Sequence, residues 1–556
     1  MKAALGNTLW RAACFPEWRR FQQAVRAVEQ TQARLLRAYL RANCDTEYGR
    51  RFRFASLTSI ADYQRRAPLT TYDDYTDYVE RLAQGQPGLL TAQPVRRFEL
   101  SSGSTAASKM IPYTSALKAE FQRGLAPWIY DLYTRLPQLK HGPAYWSITP
   151  LSEGPRATPG GIPIGFEADS DYLGPLGKTL VAAALAVPDA VKHLADAATF
   201  RYVTLLFLLR QPGLRLISVW NPTYLSLLLA PVPEWWDRLC ADIAYGSLTP
   251  PGPLDEPLRA SLLRHLRPDP RRAQALRALR PTDYSAIWPG LTLLSCWADG
   301  PAAIYARRLS EEGFPHVLLQ GKGLLATEAF VSFPLFGVEG AVLAVTSHFF
   351  EFIPTDETEG RPRLAHQLEP GRRYAVVVTT GGGLYRYQLH DIVEVVGCYE
   401  QAPCLRFVGK ADHVSDWFGE KLNEQFVGQA LERIFAARGL TPAFALLAPD
   451  DAPDGFRYTL YLELPPAQTT DGDLLQADLE RSLRQNFHYA YCRQLGQLAA
   501  SRVRLIAAGG AEAYLRACQR RGQKLGNIKP AVLQHTTGWG EWFEPLRREL
   551  ATEGEL

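Results

Sequence analysis

The sequence predicts an α/β fold: a large N-terminal α/β domain with a β-barrel-like subdomain, followed by a small C-terminal α+β domain. Three observations carry this. Between residues 100 and 350 short apolar runs alternate with helical segments. Residues 341–410 are dominated by strand-like runs. After about residue 412 the pattern changes again, to a short mixed set of helices and strands.

In chain order, Phe21, Val25, Val28, Leu35, Leu36 and Leu40 recur at roughly helical spacing and predict one long amphipathic helix over 17–43. Residues 45–100 are mixed, with turn signals and an acid- and tyrosine-rich stretch over Tyr72–Tyr78. Strands are predicted at Ala144–Thr149, Leu214–Val219 and Leu291–Cys296, and the Pro/Gly-rich segment 249–253 is a loop. In the subdomain the strand-like runs are Ala341–Thr346, Phe349–Ile353, Tyr374–Thr380, Ile392–Val396 and Leu405–Val408. The last part reads as helix 423–437, strands 443–448 and 456–464, helix 473–486, strand 502–507 and helix 511–521. Domains are thus expected over 1–410 and 411–556.

Composition narrows the function classes. With 556 residues, 46% hydrophobic and 21% charged, the chain reads as an ordinary globular protein with ample core. A net charge of +4 (61 basic less 57 acidic residues) is too mild to argue for nucleic acid or an anionic membrane. The eight cysteines include no CxxC pair and no accompanying His cluster, which speaks against structural zinc or a disulfide framework. The N-terminal stretch does not read as a secretory signal, and the most apolar run, Tyr202–Leu209, is too short to span a bilayer. The expectation is a cytoplasmic enzyme with reduced thiols, without membrane or nucleic-acid partners.

Five segments have residues suited to chemistry. Ser101-Ser102-Gly103-Ser104-Thr105-Ala106-Ala107-Ser108-Lys109 follows a strand end; its hydroxyls and Lys109 suit a phosphate-cradling loop, though not a Walker A loop, and also a solvated Ser/Thr turn. Gly323–Glu328 ends in Thr327-Glu328, a hydroxyl beside a carboxylate, which could hold Mg²⁺ and a phosphate or be ordinary surface. Thr379–Tyr387 contains three consecutive glycines without a GxGxxG spacing, and continues to Asp391, a candidate ribose acceptor or a strand cap. Phe407–Asp412, with Lys410, runs on to Gly419–Leu422 where the composition changes, and suits a hinge or a plain linker. Lys529, in Gly526-Asn527-Ile528-Lys529-Pro530, could reach a phosphate from a loop or be a solvated lysine.

In their order and spacing these segments resemble the GH3 acyl acid amido synthetases, bacterial members most closely, within the acyl-adenylate-forming superfamily. The resemblance covers nearly the whole chain: ANCDTEYGRRFRF (42–54), APLTTYDDY (67–75), the loop 101–109 with IPYT (111–114), SCWADGPAAIYARRL (295–309), LLATE (324–328), GGGLYRYQLHDIVEVVG (381–397), RFVGKADHVSDWFGEKLNE (406–424), NFHYAYCRQLGQL (486–498) and LGNIKP (525–530). It implies an acyl-adenylate-forming fold and an enzyme that activates a carboxylic acid with ATP and Mg²⁺, then passes the acyl group to the amine of an amino acid or another acceptor.

Carried over by position, Ser101, Ser102, Ser104, Thr105 and Lys109 would hold ATP phosphates, Thr327 would contact the α-phosphate and Glu328 would hold Mg²⁺. Asp391 and Lys410 would bind ribose, Asp412 would mark the hinge, and Lys529 would approach the α-phosphate and the carboxylate. The chain departs from the family pattern at Ala106-Ala107, where a Gly pair is usual, at Lys410, where an Arg is usual, and at His390, where Gly often precedes the Asp. A thiol acceptor, as in an acyl-CoA ligase, and a non-catalytic acyl or nucleotide sensor are the rival readings. Trp146, Trp220, Tyr224 and Trp297 are candidates for the acid pocket as well as for plain core, with a mild preference for an aryl or mid-sized hydrophobic acid. The family resemblance implies a monomer.

Overall fold

A computed structural model of the chain describes residues 2–100, 109–147, 156–165, 184–357, 360–410, 414–452, 455–521, 523, 528–529 and 531–546. The chain divides into two compact units, one of Met1–Ala298 with Ala306–Phe407, the other of Asp299–Tyr305 with Val408–Leu556.

The first unit begins with α1 (Lys2–Ala24) and α2 (Val28–Ala42), not the single helix expected over 17–43. Ala27 leaves the helical region at φ −150° and ψ 56°, and the Val25 carbonyl accepts from the Gln401 N–H at 2.9 Å. That carbonyl is thereby taken from the helical ladder, and periodicity, which both helices keep, does not report such a diversion. Short helices α3 (Glu47–Arg51), α4 (Ile60–Arg66) and α5 (Thr76–Ala83) follow. Helix α6 (Ser115–Arg135) is capped by Thr114, whose hydroxyl accepts from Leu117 N–H at 3.1 Å.

Four parallel strands, β3 (Ala144–Trp146), β6 (Leu216–Ser218), β7 (Leu293–Ser295) and β8 (Leu318–Gln320), form a sheet in that order. Ala144, Leu216 and Leu293 pack on one face with Trp10 and Cys14 of α1 and Ile129, Leu132 and Tyr133 of α6. Tyr145, Ile217 and Leu294 pack on the other with residues of helices Ala197–Leu209 and Val232–Tyr245. Helices on both faces explain why these strands read as unbroken apolar runs. The run Tyr202–Leu209 is helical and fully buried there. No helix among the described residues is long and apolar enough to cross a membrane.

A smaller sheet has the order β2-β1-β5-β4, with β1 at Arg97–Leu100, β2 at Met110–Tyr113, β4 at Arg156–Ala157 and β5 at Pro163–Ile164. The strand-rich region is a seven-stranded sheet of order β12-β11-β13-β14-β15-β10-β9, comprising β9 (Ser332–Pro334), β10 (Ala341–Leu343), β11 (Phe349–Pro354), β12 (Arg363–Leu364), β13 (Arg373–Thr379), β14 (Tyr387–Tyr399) and β15 (Ala402–Lys410).

In the second unit β16 (Val414–Ser415) pairs with β17 (Leu422–Asn423), and β18 (Phe444–Ala452) with β19 (Gly455–Glu463), both antiparallel; β20 (Arg502–Ile506) joins β19 in parallel. Helices Glu424–Arg438 and Gly472–Leu483 supply Val427, Leu431, Leu475 and Leu479 to a core shared with Leu447 and Leu460. Asn423 caps the first of them through Phe426 N–H at 2.8 Å, and Gly439, at φ 62°, ends it.

Candidate functional site

The register of β1 and β2 pairs Leu100 with Met110, so residues 101–109 connect the two strands. Ser101, Ser102, Ser104 and Thr105 lie outside the described residues. Lys109 stands at the entrance to β2, half-buried, with its Nζ 5.7 Å from the centroid of the Tyr72 ring. The Tyr72 hydroxyl accepts from Met110 N–H at 2.8 Å, which fixes the ring beside the end of the loop. Burial pushes the Tyr72 phenol up; the bond with Met110 opposes this, and the charges of Glu80 and Glu328 add to it. At the far end of β2, Tyr113 O–H donates to the Thr327 carbonyl. One short strand thus has Lys109 at its entrance and the Thr327-Glu328 segment bonded at its end.

That segment is the tip of a tight turn. Ala326 N–H donates to the Ala329 carbonyl at 3.0 Å, leaving Thr327 and Glu328 half-buried at its centre. Gly323 enters the turn at φ 68°, where a Cβ would lie 2.4 Å from the Ser332 carbonyl oxygen. Behind the turn, Phe330 N–H donates to His348 Nε2 at 3.0 Å. With Nε2 accepting, Nδ1 carries the proton of the neutral ring, and it donates to Glu120 Oε2 at 2.9 Å. The Glu120 carboxylate, on α6, also accepts from Gly381 N–H at 3.0 Å. Glu120 and His348 are 1% and 0% exposed, so this chain of bonds ties the Thr327-Glu328 turn to the triple-glycine turn through a dry interior. Neither residue stood out in the sequence, because their roles depend on contacts 228 positions apart.

The triple-glycine turn needs its small residues. A Cβ at Gly381 would lie 2.2 Å from Glu120 Oε1, and Gly383 has φ 96°. The residues after it serve packing. Arg386 is 4% exposed and pairs with Glu351 through bonds of 2.9 and 3.0 Å; Tyr385 O–H donates to the Leu90 carbonyl at 2.7 Å. Asp391 is buried on β14. Opposite it the register slips: Ala375 pairs with Ile392 while Val377 pairs with Gln388, a bulge over 389–391. His390 sits in that bulge at φ 61°, a backbone region glycine adopts freely and histidine tolerates.

In the second unit, Lys410 is the half-buried last residue of β15, and Asp412 lies outside the described residues. Lys529 is half-buried, its carbonyl accepting from Tyr514 O–H at 2.9 Å. The buried carboxylate of Glu420 accepts from Trp417 N–H, Phe418 N–H and Tyr458 O–H, fixing the loop after residue 414. Of the predicted site residues, Lys109 stands at one end of β2 and Thr327-Glu328 is bonded to the other end through Tyr113, while Asp391, Lys410 and Lys529 stand on other elements.

Among the described residues no three His, Cys, Asp or Glu side chains are grouped to hold a metal. Mg²⁺ usually takes one or two carboxylates and completes its shell with water and nucleotide oxygens. Glu328, a half-buried carboxylate, has the chemistry for that role.

Comparison with known proteins is consistent along the chain. Residues 17–318 match the GH3 family N-terminal domain, 341–410 the GH3 family central domain and 425–537 the GH3 family C-terminal domain. Indole-3-acetic acid-amido synthetase GH3.8 of Oryza sativa subsp. indica is 27% identical over 436 residues, 74% of this chain and 71% of the relative. Indole-3-acetic acid-amido synthetase GH3.3 of Arabidopsis thaliana is 26% identical over 443 residues, 74% of this chain and 72% of that one. Among solved structures, AtGH3.15 acyl acid amido synthetase in complex with 2,4-DB superposes with a TM-score of 0.83 at 20% identity, covering 97% of this chain and 96% of its own.

Proposed function

Since the chain belongs to the GH3 family, and is an ATP-dependent acyl acid amido synthetase that joins a carboxylic acid to an amino acid through a C–N bond, we propose how its residues divide that work. In the first half-reaction a carboxylate oxygen of the acid attacks the α-phosphorus of ATP and pyrophosphate leaves. The loop 101–109 holds phosphates, with Lys109 as its fixed charge and Thr327 toward the α-phosphate. Asp391 and Lys410 take the ribose hydroxyls. Glu328 holds Mg²⁺, which when bound offsets the negative charge of the phosphates. Lys529 brings a positive charge to the α-phosphate and the attacking carboxylate. In the second half-reaction the amine attacks the acyl carbon and AMP departs.

The observation that supports this reading is that one strand, β2, carries Lys109 at its entrance beside Tyr72 and is bonded to the Thr327 carbonyl through Tyr113 at its end. We assign residues 1–410 to a large adenylate-forming domain and 411–556 to a small mobile one. Asp412 is placed at the hinge between them, since one cleft must serve two chemistries. We place the enzyme in the cytoplasm as a monomer.

The test is acid-dependent pyrophosphate release from ATP and Mg²⁺ over a panel of carboxylic acids, with and without mixed amino acids. Release that depends on an acid, with amide product when amino acids are present, supports the reading. Release with coenzyme A alone as acceptor gives a thioester-forming ligase instead, and none at all with ATP bound gives a sensor. Lys529→Ala should slow adenylation far more than transfer from preformed acyl-adenylate, and equal losses would count against its assignment.

A further inference from the structure

A lysine is a point charge on a flexible stem, so the places its charge can reach are set by where its backbone is held. The backbone of Lys529 and the segment after it are held at several points, all of them within the second unit.

The segment after Lys529 lies along the edge strand β18. Leu447 N–H donates to the Val532 carbonyl at 2.8 Å and Gln534 N–H donates to the Leu447 carbonyl at 2.9 Å, so Leu533 pairs in parallel with Leu447. Val532 N–H in turn donates to Glu424 Oε1 at 3.1 Å. Glu424 opens helix Glu424–Arg438 and is 5% exposed. A carboxylate taken that far out of water is held in place by the bonds it accepts. On the other side of the lysine, Ile528 is fully buried. Pro530, next in the sequence, disfavours a helical backbone at Lys529.

The ladder with Leu447 involves Val532 and Gln534, and Tyr514 carries the restraint back to the lysine's own peptide. Its O–H donates to the Lys529 carbonyl at 2.9 Å. Tyr514 belongs to helix Gly510–Arg520 and is 6% exposed. Its ring is stacked on Trp539, with centroids 5.4 Å and planes 18° apart. Burial pushes the phenol well up, and Cys518, Glu424 and Tyr305 add to this, so the hydroxyl stays protonated and remains a donor. Phenylalanine would serve the stack as well. What the hydroxyl adds is the bond to the peptide of Lys529, with Gln534 Nε2 3.4 Å from its oxygen.

We propose that Tyr514 and Glu424 are positioning residues for Lys529: between them they fix its backbone, so that its ammonium is delivered to the α-phosphate and the attacking carboxylate. The inference rests on the assignment of Lys529 to the first half-reaction. Freedom in the peptide beneath a lysine stem adds to the spread of its charge, and a displacement of about 1 Å at a reacting group can cost about 10²-fold in rate. Lys529 is not used when the amine attacks the acyl carbon. Its positioning is therefore felt in adenylation and not in transfer.

The test begins with Tyr514→Phe, which keeps the ring and removes the hydroxyl. Adenylation, read as acid-dependent pyrophosphate release, should fall about 10- to 100-fold in kcat with KM for ATP nearly kept, and transfer from preformed acyl-adenylate should change by less than about threefold. In a Lys529→Ala background the same substitution should lower adenylation by less than about threefold further, because no ammonium is left to place. Glu424→Ala, which leaves Val532 N–H without its acceptor, should show the same split between half-reactions. Glu424→Gln, which keeps an oxygen for that N–H, should lose less, and this pair decides the matter if Tyr514→Phe does not fold. Unchanged adenylation in Tyr514→Phe overturns the inference, as does an equal loss in both half-reactions or a full further loss in the Lys529→Ala background. Those results leave the role of Lys529 standing wherever Lys529→Ala alone slows adenylation selectively. A Lys529→Ala enzyme that adenylates at the wild-type rate, or that loses both half-reactions equally, overturns that role and this inference together.

Discussion

At the scale of single residues, the site depends on side chains that do little alone. Glu328→Ala should slow adenylation by roughly 10²-fold through weakened Mg²⁺ binding, with partial recovery at high Mg²⁺, measured as pyrophosphate release. Glu120→Gln tests the interior chain of bonds. The amide keeps one acceptor for Gly381 N–H and the shape of the carboxylate, but it removes the charge facing His348 Nδ1. The expected result is a fall in kcat of about tenfold with KM for ATP nearly kept, and a loss of stability of roughly 1–3 kcal/mol by thermal unfolding. A loss of stability without any change in kcat would make the pair structural only. Thr327 and Glu328 could be singled out from sequence as a hydroxyl beside a carboxylate after an apolar run, and the pyrophosphate assay decides their roles. Glu120 and His348 could not be, since each alone is an ordinary polar residue and their meaning arises from a bond across the chain.

At the scale of elements, strands and helices of the second unit follow the apolar periodicity closely, as do β3, β6 and β7, because burial on both faces writes itself into composition. The break between α1 and α2 was hidden, because it comes from a hydrogen bond with Gln401 and not from a local signal. The bulge of β14 was legible only as an oddity, a histidine where glycine is common, and its cause is a left-handed backbone at His390. The turn of residues 323–329 is the element most exposed to a small change. Gly323→Ala meets both a positive φ and the Ser332 carbonyl, so it should cost about 1–3 kcal/mol and displace the turn. Adenylation should fall in proportion to that displacement, while binding of the amino acid in the second half-reaction, measured with preformed acyl-adenylate, should change less.

At the scale of the whole molecule, each unit has its own core, and the second is also held by charge. Glu480, 17% exposed, is buried enough to raise its carboxyl, yet Arg493, Ser501 N–H, Arg484 and Tyr489 outweigh that and hold it down at about 2. A depressed carboxyl stabilises the fold above its unfolded value near 4.3 and loses that contribution as pH falls toward the folded one. The contribution at neutral pH is roughly 3 kcal/mol. The unfolding temperature of the wild type should therefore exceed that of Glu480→Gln at pH 7 and approach it as the pH is lowered below about 4, followed by circular dichroism. A gap that persists unchanged at pH 3 would put the effect down to packing. The second unit is also discontinuous in sequence: Asp299–Tyr305, inside the stretch of the first, belongs with it and packs against helix Glu424–Arg438. The second unit is thus not one uninterrupted stretch of the chain. A chimaera spliced from two relatives at residue 408 alone would graft a mismatched patch beneath that helix, and only a transplant that also carries 299–305 would move the module intact.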